Sequence, residues 1–243
     1  MLVKQKVKYI QTLGQKKFRE QERVFIAEGS KLVKELVEGS PSIVKEIYAV
    51  KDWIEDNKGL LSKTSVTEVA EFELEKISQL ATPNKVLAIV QQCDNEKLVA
   101  KGKITLALDR IQDPGNLGTI IRIADWFGVE QIVCSNDSAD VYNNKVVQAT
   151  MGSIARVKIF YTDLENWLAG QNDVRIYAAV LEGQDITTAK RITEGIILIG
   201  NESRGIGETA LKLANVKLTI PKKGKAESLN AAVATGIILS CIV

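Results

Sequence analysis

Residues 104–135, ITLALDRIQDPGNLGTIIRIADWFGVEQIVCS, decide how the chain is built. An apolar run over 104–109 breaks at Asp113-Pro114-Gly115, a tripeptide that forces a turn. A helical pattern over 117–127 then buries Ile120, Ile123, Ala124 and Phe127 and stops at Gly128, before a second apolar run at 131–135. Strand, helix, strand is the repeating unit of α/β proteins with a largely parallel sheet. On this spacing Asn116 is a candidate N-cap, and Arg122 lies on the polar face, within reach of Asp125 three residues on.

The alternation extends in both directions. Downstream, a helix around 144–153, a strand at 157–161, a helix at 164–169, strands at 175–181 and 195–200, a helix at 209–214, a strand at 216–220 and a C-terminal helix complete one block. Upstream, a basic helix carrying Val7, Ile10 and Leu13 precedes the strand 24–27. A helix capped by Ser30 and closed near Gly39 follows, with strands at 46–50 and 86–90 and a helical pattern around Leu74 and Ile77. The polar stretch Gln91–Lys103 reads as a linker, which divides the chain into residues 1–98 and 103–243.

Composition narrows the function classes. With 45% hydrophobic and 26% charged residues among 243, the chain has the make-up of a globular domain protein. Histidine is absent, which removes Ser-His-Asp triads, Cys-His dyads and His-bearing zinc sites. Cys93, Cys134 and Cys241 are far apart and read as buried apolar thiols. The N-terminus MLVKQKVKYI alternates lysine with apolar residues and does not resemble a signal peptide, so the expected compartment is the cytoplasm. The run 228–243 is too short to span a membrane and reads as a buried core helix, so no membrane association is expected.

The net charge is only +2, but it is unevenly placed. Residues 1–23 hold Lys4, Lys6, Lys8, Lys16, Lys17, Arg19 and Arg23 against Glu20 and Glu22, a local +5. Lys217, Lys222, Lys223 and Lys225 form a second cluster around Pro221. Two basic patches on a near-neutral chain fit contact with a phosphate backbone; a solvated helix face is the alternative for the first.

Two further segments follow apolar strands, where open α/β sheets bind ligands. LIGNESRGIG at 198–207 resembles a phosphate loop until Ile206 and Gly207 stand where Lys and Ser/Thr are required, leaving a backbone-lined loop with one carboxylate, Glu202. Its Gly200 would let a ligand come close to the strand end. IPKKGKAESLNAAVATGIILS at 220–240 places Ser228 and Asn230 at the start of a helix whose apolar character predicts burial, and hence a protected helix N-terminus. Ser228 has no histidine to activate it as a nucleophile.

Taken in order, the three segments resemble the motifs of the SpoU-type, or TrmH-like, RNA 2′-O-ribose methyltransferases of the SPOUT superfamily. Motif one is Asp113, Pro114, Asn116, Leu117, Gly118 and Arg122; motif two is Gly200, Glu202 and Gly205; motif three is Ile220, Pro221, Ser228, Leu229 and Asn230. The segment before residue 100, with FIAEG at 25–29, looks like the substrate-binding domain many members carry. Ile123, Asn201, Lys222, Lys223, Ala231 and Ala232 depart from residues common in the family, and touch substrate choice more than activity.

The resemblance implies an α/β SPOUT domain with a deep trefoil knot, plus a small N-terminal α/β domain that binds RNA. It implies S-adenosyl-L-methionine held by loops at Leu181, Gly200, Ile220 and Leu229, a homodimer, and no metal. It assigns the chemistry to Arg122, Asn116, Glu202, Ser228 and Asn230, acting on a ribose 2′-hydroxyl of structured RNA, with rRNA favoured and tRNA as the alternative. A non-catalytic RNA-binding protein of the same fold is the competing class. Arginine is proposed in the family as the activator of the hydroxyl, but a guanidinium keeps its proton in proteins, so an electrostatic anchor is the better-founded role.

Overall fold

The computed structural model describes residues 2–62, 64–93 and 98–243. Residues 94–97, inside the expected linker, lie outside the described residues. The chain forms two compact units: one from the described residues within Met1–Asp94 together with Tyr142–Ala155, the other from those within Asn95–Val141 together with Arg156–Val243. A single cut near residue 100 does not anticipate the segment 142–155.

The first unit begins with α1 (Lys4–Thr12) and α2 (Lys16–Glu22), then β1 (Val24–Glu28), α3 (Ser30–Gly39), β2 (Val44–Ala49), α4 (Lys51–Asp56), β3 (Val66–Glu68), α5 (Glu71–Ile77) and β4 (Val86–Gln91). Its sheet runs β1-β4-β2-β3. Here the pairing departs from the parallel expectation: β4 lies antiparallel to both β1 and β2, and only β2 and β3 are parallel. Continuously apolar strands such as VFIAE and VLAIV carry no alternation, so their sequence does not specify direction. The N-cap of α3 is Gly29, at φ +103°, one residue before the expected Ser30. Ser30 Oγ instead accepts the indole N–H of the buried Trp53 at 2.6 Å.

The segment 142–155 joins this unit for physical reasons. Its helix α7 (Asn144–Thr150) buries Val146, Val147 and Thr150. The Tyr142 ring stacks on Phe25 with centroids 5.0 Å apart, and Gln148 Nε2 donates to the carbonyl of Glu28 at 2.8 Å. Glu28 itself is 1% exposed; its carboxylate accepts the Ser78 hydroxyl at 2.5 Å and the Gln79 N–H at 2.8 Å. Burial raises its pKa, and those two hydrogen bonds only partly oppose the effect.

The second unit is a six-stranded parallel sheet. It contains β5 (Ile104–Asp109), α6 (Pro114–Trp126), β6 (Gln131–Ser135), β7 (Lys158–Thr162), α8 (Leu164–Ala169), β8 (Ile176–Asp185), β9 (Gly195–Gly200), α9 (Glu208–Lys212), β10 (Val216–Thr219) and α10 (Ala231–Ile242), in the sheet order β10-β8-β9-β5-β6-β7. Every pair in it is parallel. The runs QIVCS and GIILIG are apolar at successive positions because helices cover both faces of a parallel sheet. Pairing of β8 with β10 jumps from Ala178↔Lys217 to Gln184↔Leu218, so the residues of β8 between them bow out of the ladder.

Three burial expectations change. On α6, Ile120 and Ala124 are buried, but Ile123 and Phe127 are only half-buried. Cys134 is buried, which raises its thiol pKa, but Cys93 and Cys241 are only half-buried. Helix α10 buries Ala231, Ala232, Thr235, Ile238, Leu239 and Ile242 while leaving Val233 51% exposed, so it is covered on one side rather than all round. Among the described residues no helix is long and apolar enough to cross a membrane.

Candidate active site

The three motif segments follow the C-terminal ends of β5, β9 and β10; β5 and β9 are neighbours in the sheet, and β8 lies between β9 and β10. Asp113, not Asn116, caps α6: its Oδ1 accepts the Asn116 N–H at 2.7 Å, and Pro114 takes the first turn, where no N–H is needed. The expectation that Asn116 caps the helix is thereby corrected, and the correction matters. With its backbone served by Asp113, the Asn116 side chain is released to the site.

That side chain links the three motifs. Asn116 Nδ2 donates to Glu202 Oε1, and Asn116 Oδ1 accepts from Asn230 Nδ2 at 2.7 Å. Asn230 has a second task as the N-cap of α10, where its Oδ1 accepts the N–H groups of Ala232 at 3.0 Å and Val233 at 3.2 Å. Both ends of each of the two amides are therefore assigned. A carboxylate, an amide and a second amide are held in one fixed order.

The remaining candidates are placed differently. Arg122 is exposed on α6 and has no hydrogen bond or ion pair among the described residues. Its sequence neighbour Asp125 pairs with Arg156, at 2.8 Å to Nη2 and 2.9 Å to Nε, so the surface ion pair that was the alternative role for Arg122 is absent among the described residues. Ser228 is exposed, and no hydrogen bond joins it to the Asn116 chain among the described residues. The protected N-terminus expected for Ser228 and Asn230 is not seen; residues 221–230 are all exposed.

Of the residues assigned to a cofactor, Leu181 is 74% exposed on the bowed part of β8, Leu229 is 45% exposed, and Ile220 is half-buried just past β10. The Thr219 hydroxyl donates to the Leu181 carbonyl at 2.9 Å, tying the bowed part of β8 to the end of β10. Gly200 has another reason to lack a side chain. A Cβ there would stand 2.4 Å from the Gly205 carbonyl carbon and the Ile206 nitrogen, so the space is filled by the loop's own backbone rather than left for a ligand.

Sequence reasoning missed the residues that shape this loop. Asp109, 7% exposed at the end of β5, accepts the Gly207 N–H at 2.7 Å and holds Arg110 Nε at 3.0 Å. Arg110 sits in the left-handed region at φ +58°, and its carbonyl accepts Asn201 Nδ2 at 2.9 Å. Asn201 Oδ1 in turn accepts the N–H groups of Ser203 and Arg204, at 2.9 and 3.1 Å. Glu202 thus rides on a loop fixed at both shoulders. The available signal was a polar pair, Asp109-Arg110, ending an apolar strand, and an asparagine directly before the motif glutamate.

In the first unit the basic segment is less free than its composition suggests. Lys6 pairs with Glu46 at 2.9 Å, and Arg19 is buried, donating from Nη1 to the carbonyls of Leu13 at 2.9 Å and Gly14 at 2.8 Å. Lys4, Lys8 and Lys17 remain exposed.

Comparison with known proteins identifies the family. Residues 103–240 match the SpoU rRNA Methylase family, and residues 4–88 match the MRM3-like substrate binding domain. The chain is 32% identical over 241 residues to the 23S rRNA (guanosine(2553)-2′-O)-methyltransferase RlmP of Bacillus subtilis, covering 97% of this chain and 94% of that one. An AdoMet-bound rRNA methyltransferase from Sinorhizobium meliloti superposes with a TM-score of 0.84 at 32% identity, covering 98% of this chain and 94% of the other. The SpoU methyltransferase AviRb from Streptomyces viridochromogenes, at 24% identity and a TM-score of 0.81 over 97% and 95% of the two chains, shares the fold. With Asn116 hydrogen-bonded to both Glu202 and Asn230, and so joining the three motifs, this protein belongs to the SpoU rRNA methylase family.

Proposed function

We propose that the protein transfers a methyl group from S-adenosyl-L-methionine to a ribose 2′-hydroxyl of ribosomal RNA. The observation that carries this reading is the hydrogen-bonded series Glu202–Asn116–Asn230, which draws one polar residue from each motif to a single place, at the start of a helix that also bears the unengaged Arg122. The Bacillus subtilis relative, matched over nearly its whole length, acts on 23S rRNA, and the Sinorhizobium meliloti enzyme holds AdoMet. These favour rRNA over tRNA.

Leu181, in the bowed part of β8, and Leu229, just before the Asn230 cap of α10, are exposed leucines that suit the apolar face of such a cofactor. Leu181, Ile220 and Leu229 would hold it, with Gly200 setting the shape of the adjoining loop. When bound, S-adenosylmethionine supplies an electrophilic methyl group.

The protein's own groups do the rest. Arg122 anchors a phosphate next to the target ribose and stabilises negative charge as the 2′-oxygen loses its proton; being a planar fork, it can fix direction as well as charge. A guanidinium does not accept that proton, which leaves to solvent. Asn116, Glu202 and Ser228 orient the ribose, and Asn230 keeps the entrance of α10 in register. Positioning of this kind raises the rate because attack on a methyl carbon needs a nearly linear approach.

The reading extends to the assembly. A Trp126 that is 85% exposed on α6 and a half-exposed Val233 on the adjacent α10 support a homodimer in which a second copy covers both. The return of the chain from the edge strand β10 to pack α10 against α6 and β9 supports the family's trefoil knot. A cytoplasmic location is part of the same reading.

The test is transfer of tritiated methyl from S-adenosylmethionine to a 23S rRNA transcript, followed by alkaline hydrolysis. Label in alkali-resistant dinucleotides is the expected result, because a 2′-O-methyl blocks cleavage. Label confined to mononucleotides would indicate base methylation, and no incorporation would leave an RNA-binding protein of this fold.

A further inference from the structure

The loops that carry the Asn116–Glu202–Asn230 chain also carry a set of cations that none of its hydrogen bonds use. Arg204 lies two residues from Glu202 in the loop after β9. Lys222, Lys223 and Lys225 lie between β10 and the Asn230 cap of α10. All four side chains are exposed, and none has a hydrogen bond or ion pair from its side chain among the described residues. The acidic groups on these two loops are Glu202, already engaged by Asn116, and Glu227.

Their placement is fixed although their side chains are free. The loop after β9 is pinned by Asp109 to Gly207 and by Asn201 to the Arg110 carbonyl. The loop after β10 is pinned at one end by Thr219 to Leu181 and at the other by Asn230. Four exposed cations on the two anchored loops that supply Glu202 and Asn230 make a local concentration of positive charge next to that polar centre in the chain.

We propose that Arg204, Lys222, Lys223 and Lys225 bind the phosphates of one RNA strand and lead it across the Asn116–Glu202–Asn230 centre. This surface is in the second unit and adds to whatever the substrate-binding unit holds. It rests on the RNA-methylating reading above. Binding to phosphates carries little sequence information; it sets register, so that the ribose to be modified stops beside Arg122. Each phosphate neutralised releases counterions, which makes this binding measurable through its salt dependence.

The experiment compares the full-length protein with a variant carrying Arg204→Gln, Lys222→Gln, Lys223→Gln and Lys225→Gln. The probe is a labelled oligouridylate of about 20 nucleotides, titrated by anisotropy at several potassium chloride concentrations. The slope of log affinity against log salt is expected to fall by about 0.7 for each single-strand phosphate that the variant no longer neutralises, so by up to roughly 3. S-adenosylmethionine affinity, read by calorimetry on the same variant, is expected to hold within about twofold. An unchanged slope, or no measurable binding of the probe by the parent protein, overturns the proposal. A fall in cofactor affinity with the slope preserved also overturns it, by assigning the cations to the cofactor. Methylation of a 23S rRNA transcript by the parent protein separates failure of this proposal from failure of the enzymatic reading.

Discussion

Asn230 donates from Nδ2 to the Oδ1 of Asn116 at 2.7 Å, although 114 residues of chain separate them. The same Asn230 caps α10 through its Oδ1. The two jobs use different atoms of one amide, and can be separated by substitution. Asn230→Ala removes both and is expected to lower the melting temperature, since loss of a cap costs about 1 kcal/mol. Asn230→Asp keeps the capping oxygen and loses the donor. It is expected to melt like the parent yet transfer methyl groups on the order of 100-fold more slowly in single turnover. Parent-like rates in Asn230→Asp would remove the amide link from the mechanism.

Asn116→Ala should behave as the converse case. Asp113 caps α6 without it, so thermal melting is expected to change little while single-turnover transfer falls by a comparable factor. A large drop in melting temperature would show that the side chain serves packing rather than orientation.

Gly200→Ala should act on the loop that carries Glu202. Its new Cβ would meet backbone atoms at 2.4 Å, and backbone cannot swing aside as a side-chain tip can. A loss of about 1–3 kcal/mol in stability is expected, with reduced activity. Gly205→Ala meets nothing within 4 Å and is strained only by its φ of +66°, so it should cost less. Equal destabilisation by the two would contradict the close approach at Gly200.

Arg122 is tested by charge against shape. Arg122→Lys keeps the cation but loses the fork, and is expected to retain RNA affinity while slowing the chemical step by at least about tenfold. If solvent takes the hydroxyl proton, the single-turnover rate should keep rising with pH through the alkaline range. Unimpaired rates in Arg122→Ala, with RNA and cofactor saturating, would take the arginine out of the reaction.

Glu28 makes the first unit sensitive to pH. Its folded pKa is raised above the ordinary 4.5, so the folded state holds its proton more tightly than the unfolded one. Stability from this group is therefore greatest below 4.5 and is lost as pH rises through the folded pKa. Glu28→Gln is expected to match or exceed the parent in melting temperature near neutrality, and the difference should shrink as pH falls toward 4.5. A difference that does not vary with pH would mean that the carboxylate is not titrating in that window.

Much of the second unit was legible in its sequence. The strands 104–109 and 195–200 match their observed limits because buried parallel strands read as unbroken apolar runs bounded by polar turns. The motifs indicated which loops meet, and Asn116, Glu202 and Asn230 do meet. What failed was of another kind. Asp113 and Asn116 are both good caps three residues apart, and only the backbone decides between them. The reason for Gly200 lies in atoms five residues away, brought back by a turn that spacing does not reveal. Short elements such as α4 and β3 fall below the length at which periodicity speaks, and continuous hydrophobicity hides the antiparallel pairing of β1 with β4.

The placement of Tyr142–Ala155 bears on how the polypeptide matures as it is made. During synthesis the last strand of the first unit's sheet, ending at Gln91, emerges before the helix that covers part of β1, which begins at Asn144. Until α7 arrives, the Phe25 face and the carbonyl of Glu28 wait for Tyr142 and Gln148. The segment that completes the first unit is therefore made only after β5, α6 and β6 of the second, and a fragment ending before residue 142 would lack the contacts of Tyr142 and Gln148.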